Sequence, residues 1–173
     1  MVNRMIWFER KFEFGLPVWM LPNVIERLRG TPARVDELTR GLAADVLARR
    51  DGERWSIQEH AGHLVDLGWL DMARVEDFRA GRDALTAADV ENRKTHEARH
   101  NARNFAELLS QFRRERGEFV RRLEAFDDET AERIALHPRI KQPMRVVDFA
   151  FFVAEHDDHH VAAITGLIRK FVS

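Results

Sequence analysis

Phe152-Val153-Ala154-Glu155-His156-Asp157-Asp158-His159-His160-Val161-Ala162-Ala163-Ile164 is the stretch that decides the fold. It lies inside an apolar run from Val146 to Phe171 that has no glycine before Gly166 and no proline after Pro143. Phe149, Phe152, Val153, Ala163, Ile164, Leu167 and Ile168 recur at helical spacing, so the run predicts one long amphipathic helix. His156 and His160 are four residues apart and share a face, roughly 6 Å between Cβ atoms. Both fall in the middle of the stripe that must turn to the core. Imidazoles placed there need partners, because an unpaired buried polar group costs about 2 kcal/mol or more. A divalent ion supplies a partner to both. A carboxylate for one ring and a backbone carbonyl for the other would do so equally.

Working outward, residues 127–144 read as a loop containing His137-Pro138-Arg139. Residues 104–126 form a helix with Phe105, Leu108, Leu109, Phe112, Phe119, Leu123 and Phe126 on its stripe. Glu115 and Arg116 interrupt that stripe where an apolar residue is due. A buried arginine is rare unless paired, so Arg116 is either half of an ion pair or a pocket-facing cation that binds an anionic part of a substrate. Residues 82–103 are polar and weakly periodic, long for a simple turn. A helix opens after Trp55 and runs to about Ala80, where Gly81 stops it. Ser56 and Glu59 form an S-x-x-E capping box at its start, and it carries His60 and His63. Residues 42–54 read as a connection with a turn at Asp51-Gly52. Residues 17–29 look helical, and Gly30-Thr31-Pro32 predicts a break followed by a restart running to about Arg40. Residues 1–16, with Trp7, Phe8, Phe12 and Phe14, read as an arm packed on the domain or on a second subunit. The pattern is all-α, most simply a four-helix bundle in a single domain spanning 1–173.

Composition narrows the function classes. The chain is 45% hydrophobic and 33% charged, which suits a domain that buries a real core. A net charge of −1 leaves no electrostatic footprint for nucleic acid. No uncharged apolar run reaches membrane-spanning length, and residues 1–14 have no signal-peptide core, so the expected location is the cytoplasm. The absence of cysteine and tyrosine leaves His, Asp and Glu as the metal ligands, and any thiol chemistry must use a thiol brought by a cosubstrate.

Bundles build metal sites from side chains on facing helices. One histidine from the second helix beside His156 and His160 would give three nitrogens and one open position, the pattern of a catalytic zinc site. Imidazole ligands also suit nickel, iron and copper. His63 and His60 both qualify as the third ligand, and spacing does not separate them. His159 sits one step off the His156/His160 face and reads as an outer or surface group. Asp66 or Asp148 could accept the second N–H of a ligand imidazole. His96-Glu97-Ala98-Arg99-His100 is a literal H-E-x-x-H, the zinc-protease pattern. Its flanks are charged and polar throughout, so it reads as a solvated helical segment. Protons compete with metal for imidazoles whose ordinary pKa is about 6.5, which places the expected loss of metal-linked stability near pH 5.

Two segments taken together carry a family resemblance. Trp55-Ser56-Ile57-Gln58-Glu59-His60-Ala61-Gly62-His63-Leu64 resembles the second-helix motif of the DinB/YfiT-like superfamily, whose members are read as metalloenzymes. Ala154-Glu155-His156-Asp157-Asp158-His159-His160 resembles its last-helix motif. Glu26-Arg27-Leu28-Arg29-Gly30-Thr31-Pro32-Ala33 and His137-Pro138-Arg139 match further. The resemblance covers nearly the whole chain. It implies an up-down-down-up bundle, often dimeric, with the 82–103 connection serving as the crossover. It also implies a metal-binding triad of His63, His156 and His160, with no ligand role for His60. The cofactor expected from it is a divalent ion: zinc or nickel, with iron as a third candidate. The activity expected is a metal-dependent hydrolase acting on a small-molecule substrate. The alternatives are a thiol-dependent S-transferase or isomerase using a low-molecular-weight thiol, and a metal-binding bundle without catalysis.

Overall fold

In a computed structural model, which describes residues 4–172, the chain forms four long helical arms joined by short elements. Helix α1 is Leu21–Thr39, α2 is Ala44–Ala48, α3 is Ile57–Asp66 and α4 is Gly68–Arg79. Helix α5 is Arg93–Glu97, α6 is Phe105–Glu124, α7 is Asp128–Ala131 and α8 is Val146–Phe171. A two-residue antiparallel ribbon pairs β1, Ala135–Leu136, with β2, Pro143–Met144. The expected loop over 127–144 therefore holds a helical turn and a small ribbon. Among the described residues no helix is long and apolar enough to cross a membrane.

The direction of each arm follows from side-chain pairs. Arg27 binds Glu155 and Asp158, and Arg34 binds Asp158, so α1 and α8 run parallel. Arg29 meets Glu124 while Arg113 meets Asp36, so α6 runs against α1. His60 meets His160 and His63 meets His156, so α3 runs against α8. Gly68 abuts Glu115 and Glu76 meets Arg122, so α3–α4 runs parallel to α6. The order is up-down-down-up. The crossover between the two parallel middle arms is the long polar connection, which carries α5 and a 3-10 turn at His100–Ala102.

Local chemistry sets the starts. Ser56 Oγ accepts from the Glu59 backbone N–H at 3.1 Å, and Glu59 accepts from the Ser56 N–H at 2.9 Å, the capping box read from sequence. Asp148 caps α8 by accepting from the Arg145 N–H at 3.0 Å. The same side chain accepts from the Gly15 and Leu16 N–H groups, each at 2.9 Å, so it ties down the arm and does not serve a metal ligand. Trp7 and Phe12 are buried in the core cluster, so the described part of the N-terminal arm, from Arg4 onward, packs on the domain in this single chain. Residues 1–3 of that arm lie outside the described residues.

Two expectations fail in instructive ways. The predicted break at Gly30-Thr31-Pro32 is absent, because α1 is continuous with Pro32 inside it. Leu21, Val24, Ile25, Leu28, Pro32 and Val35 form one buried stripe through the proline. A proline inside a helix costs about 3 kcal/mol. Burial of that stripe outweighs it, at about 1.5–3 kcal/mol per large apolar side chain. Thr31 Oγ1 also donates to the Arg27 carbonyl at 3.2 Å. The second helix is in turn divided at Leu67 into α3 and α4. A Cβ at Gly68 would stand 2.7 Å from Glu115 Oε2, the mobile end of a side chain on α6, so α6 passes close to the start of α4.

The core lies in two apolar clusters. One gathers Leu28, Phe78, Phe119, Phe149 and Phe152 with the arm, and the other gathers Val35, Ile57, Leu64, Phe112 and Ile164. His156, Asp157 and His160 stand on α8 between Val153 of the first and Ile164 of the second. The polar site is the layer between the two clusters.

Candidate metal centre

Helix α8 turns His156 and His160 toward α3, which presents His63. Nitrogens of these three rings all lie within 4.8 Å of one another. The Nε2 atoms of His156 and His160 are 3.2 Å apart. His63 and His160 are buried, and His156 keeps a partial opening to the cavity. His63 Nδ1 meets Thr95 Oγ1 at 2.9 Å, which leaves its Nε2 for the cluster. His160 Nδ1 meets His60 Nδ1 at 2.8 Å, which leaves its Nε2 facing His156. His60 is thus beside the cluster, paired with one of its members through the nitrogen that faces away from the convergence point. Ligand histidines are commonly oriented in this way through the second ring nitrogen.

Burial holds the whole group neutral. It lowers the His63 pKa to about 4, with His100 and His96 adding to the fall and Asp66 opposing it. It lowers His60 to about 3, helped by Arg4 and His63. His156 and His160 lie well below the ordinary value, first through burial; His63, His159, Arg116 and Arg139 then add to the fall at His156, and His156, His63, His60 and His159 add to it at His160. Neutral imidazoles present lone pairs, the form a metal requires. When the proton of His160 points to His60, its Nε2 and that of His156 offer two acceptors at 3.2 Å. Two nitrogens on one tetrahedral zinc at about 2.0–2.1 Å stand about 3.3 Å apart. The donor set therefore fits a divalent ion of the zinc type.

Two indoles enclose the rings. Trp55 lies 4.8 Å from His63 and stacks on His160 at 6.0 Å between centroids. Trp7 meets His156 edge-on at 4.8 Å and His159 at 5.6 Å. His159 is an outer residue, as expected, half-buried with burial lowering its pKa to about 4.

Sequence reasoning placed the support around His63 wrongly. Asp66 does not reach a ligand ring; its Oδ2 accepts from His100 Nε2 at 2.7 Å. Burial pushes the Asp66 carboxyl up, but His100 and Thr95 outweigh it and hold it below its usual range. The H-E-x-x-H segment is not a solvated helix throughout. Helix α5 ends at Glu97, Arg99 takes a left-handed φ of 47°, and His100 turns in against Gly62. A Cβ at Gly62 would stand 2.3 Å from the His100 ring, so a glycine is needed. His96 remains exposed, so the pair cannot form a protease-type zinc site. Thr95 was missed, and nothing in its polar surroundings signals it.

The histidines open onto a cavity of about 820 Å³. Arg116 is the ion-paired residue of the two alternatives, and its place is on the cavity wall. It lines the cavity, and it is a buried ion pair, with Nη2 donating to Asp157 Oδ1 at 2.8 Å and Nη1 3.7 Å from Asp71 Oδ2. Burial raises the Asp71 carboxyl to about 7 against the pull of Arg116. Asp157 is raised as well, again by burial first.

A model of the DinB superfamily matches residues 27–164. Among solved structures, YfiT from Bacillus subtilis aligns with a TM-score of 0.75 at 21% identity, covering 95% of this chain and 94% of that one. That protein is described as a probable metal-dependent hydrolase with an unusual four-helix bundle topology. At this identity the likeness shows the fold. No curated protein matches the chain in sequence. The family model spans most of the chain, and the chain belongs to the DinB superfamily.

Proposed function

We propose that this DinB-superfamily bundle is a metal-dependent hydrolase of a small-molecule substrate, with His63, His156 and His160 as ligands of one divalent ion, zinc or nickel first and iron next. The observation that carries this reading is the convergence of three neutral ring nitrogens within 4.8 Å on the wall of a cavity of about 820 Å³. The description of YfiT as a probable metal-dependent hydrolase supports the reaction class. Such an ion supplies Lewis acidity and makes a bound water acidic near neutral pH.

The chain's own residues do the rest. Thr95 and His60 fix the tilt of His63 and His160 through their second nitrogens. Trp7 and Trp55 cover the rings and limit water around them. Arg116 holds Asp157 in place. Asp71 lines the cavity with a pKa of about 7, so it is the carboxyl able to hold or release a proton at neutral pH.

The test is a substrate screen on metal-loaded protein against esters, thioesters and amides, run with and without added low-molecular-weight thiols. Turnover that needs the metal and no thiol supports the hydrolase. Turnover that appears only with thiol assigns the site to thiol transfer instead. Metal uptake with no turnover under either condition leaves a binding bundle.

A further inference from the structure

The cavity has a second wall that the histidines do not use. Arg74 on α4, and His137 and Arg139 in the β1–β2 connection, line it together. Arg74 is 3% exposed and His137 is 2% exposed. Each of the three carries a buried nitrogen with no hydrogen-bond partner: Nη2 of Arg74, Nη2 of Arg139 and Nε2 of His137. Buried donors are nearly always paired in folded proteins. Three unpaired donors on one cavity wall form a convergent set with a missing acceptor.

The identity of the His137 donor follows from its backbone contacts. Its Nδ1 accepts from the Arg139 N–H at 3.2 Å and from the Ile140 N–H at 3.4 Å. A neutral imidazole that accepts at Nδ1 carries its proton on Nε2. Burial lowers the His137 pKa to about 3, with Arg74 and Arg139 adding to the fall, so the ring is neutral and close to both guanidinium groups. Arg74 is held by donation from Nε to the Thr86 carbonyl at 3.0 Å. Arg139 is held over the Phe8 ring at 5.1 Å and the Phe152 ring at 6.0 Å. Among the described residues neither arginine makes an ion pair, whereas Arg116 beside them donates from Nη2 to Asp157 and keeps Nη1 3.7 Å from Asp71, without a hydrogen bond but with its charge matched. The carboxylates nearest Arg74, Asp71 and Asp77, attract it without hydrogen-bonding to it.

We propose that Arg74, Arg139 and the Nε2–H of His137 form an oxyanion-binding site that takes a carboxylate or phosphate group of the substrate. Two guanidinium groups and one neutral N–H match the acceptor oxygens of such a group. His137 packs on Phe152 at 5.0 Å, and Phe152 lies one helical turn before His156, so the anion site and the histidine cluster lie along the same stretch of α8. The substrate class is therefore an acid, a carboxylate or a phosphate ester, whose anionic group is held by this wall of the cavity. This deepens the hydrolase reading and rests on it only for the word substrate; anion binding itself is independent of the metal.

The experiment measures binding of sodium butyrate, inorganic phosphate and the neutral control butyramide by calorimetry, to metal-free and metal-loaded protein. It is repeated on Arg139→Met and Arg74→Met, with metal content determined for each. The expected result is anion binding in both metal states, at least ten-fold tighter than butyramide, weakened about ten-fold or more in each variant with metal content unchanged. Preference for butyrate assigns the group as a carboxylate, and preference for phosphate assigns it as a phosphate ester. Should Arg74→Met fail to fold, Arg139→Met decides, because that side chain is partly exposed and makes no ion pair. Anions that bind no tighter than butyramide, bind only to metal-loaded protein, or bind the variants like the wild type overturn the proposal. Loss of metal binding with anion binding retained counts against the hydrolase reading alone.

Discussion

The histidine wall and the arginine wall of the cavity share α8 as a neighbour, yet they solve the burial of polar groups in opposite ways. On the histidine wall, burial removes the charge, and the rings pair with one another and with Thr95. On the arginine wall the charge cannot be removed, so Arg116 recruits the carboxylates of Asp157 and Asp71, while Arg74 and Arg139 keep buried donors with no ion pair. Converging lone pairs suit a cation and converging N–H groups suit an anion. One cavity thus offers two complementary subsites.

The largest expected effect comes from breaking the paired part of the arginine wall. Arg116→Met leaves Asp157, 1% exposed, as a buried carboxylate without its partner. Loss of one partner of a buried pair costs about 3–5 kcal/mol. A denaturant midpoint should fall accordingly, and Arg116→Met combined with Asp157→Leu should recover most of it. A midpoint unchanged by Arg116→Met would mean that the arginine is free to bind ligand alone. The sequence alone left that outcome open beside the ion pair, because it does not show the facing acid.

The next effect is on the histidine wall and is set by pH. For His63 the folded pKa is lowered to about 4, while in the unfolded chain it is about 6.5. Between those values the unfolded chain binds more protons, so stability of the metal-free protein rises with pH. It should be complete above about pH 6.5 and fall as pH drops toward 4, by roughly 3 kcal/mol for His63 alone. In the folded protein, protons compete with metal only below the lowered value. The metal-dependent rise in Tm should therefore persist at pH 5 and disappear near pH 4, below the range expected for unperturbed histidine. Loss of that rise already at pH 6 would show that the rings are solvated.

A smaller effect tests the orientation of the third ring. Thr95→Val removes the partner of His63 Nδ1. Loss of such a supporting contact typically lowers metal affinity by about 10- to 100-fold. The expected value is at the low end, read by competition with a chelator. Unchanged affinity would place the metal on the other nitrogen of His63.

Much of this was legible in the sequence where the signal is periodic. Helix α8 spans the apolar run read for it, because the Phe149 to Leu167 stripe admits no other fold. Ser56 and Glu59 announce the start of α3 by spacing alone. The proline in α1 misleads because a local rule meets a stripe of buried side chains that local reading does not weigh. Thr95, His100 and Arg139 were opaque for a different reason. They sit in polar, irregular segments where only contacts distant in sequence decide which side chain turns inward. His60 and His63 could not be separated by spacing, since both turn toward α8; the difference lies in the ring nitrogens, one facing the cluster and one facing away.

The central claim is that three histidines, and not the fourth beside them, hold the ion. Elemental analysis of purified wild type, His63→Ala and His60→Ala after equilibration with zinc tests it most directly. The account predicts one ion per chain in the wild type, nearly none in His63→Ala, and an ion retained with weaker affinity in His60→Ala. Full occupancy in His63→Ala together with loss in His60→Ala would contradict it.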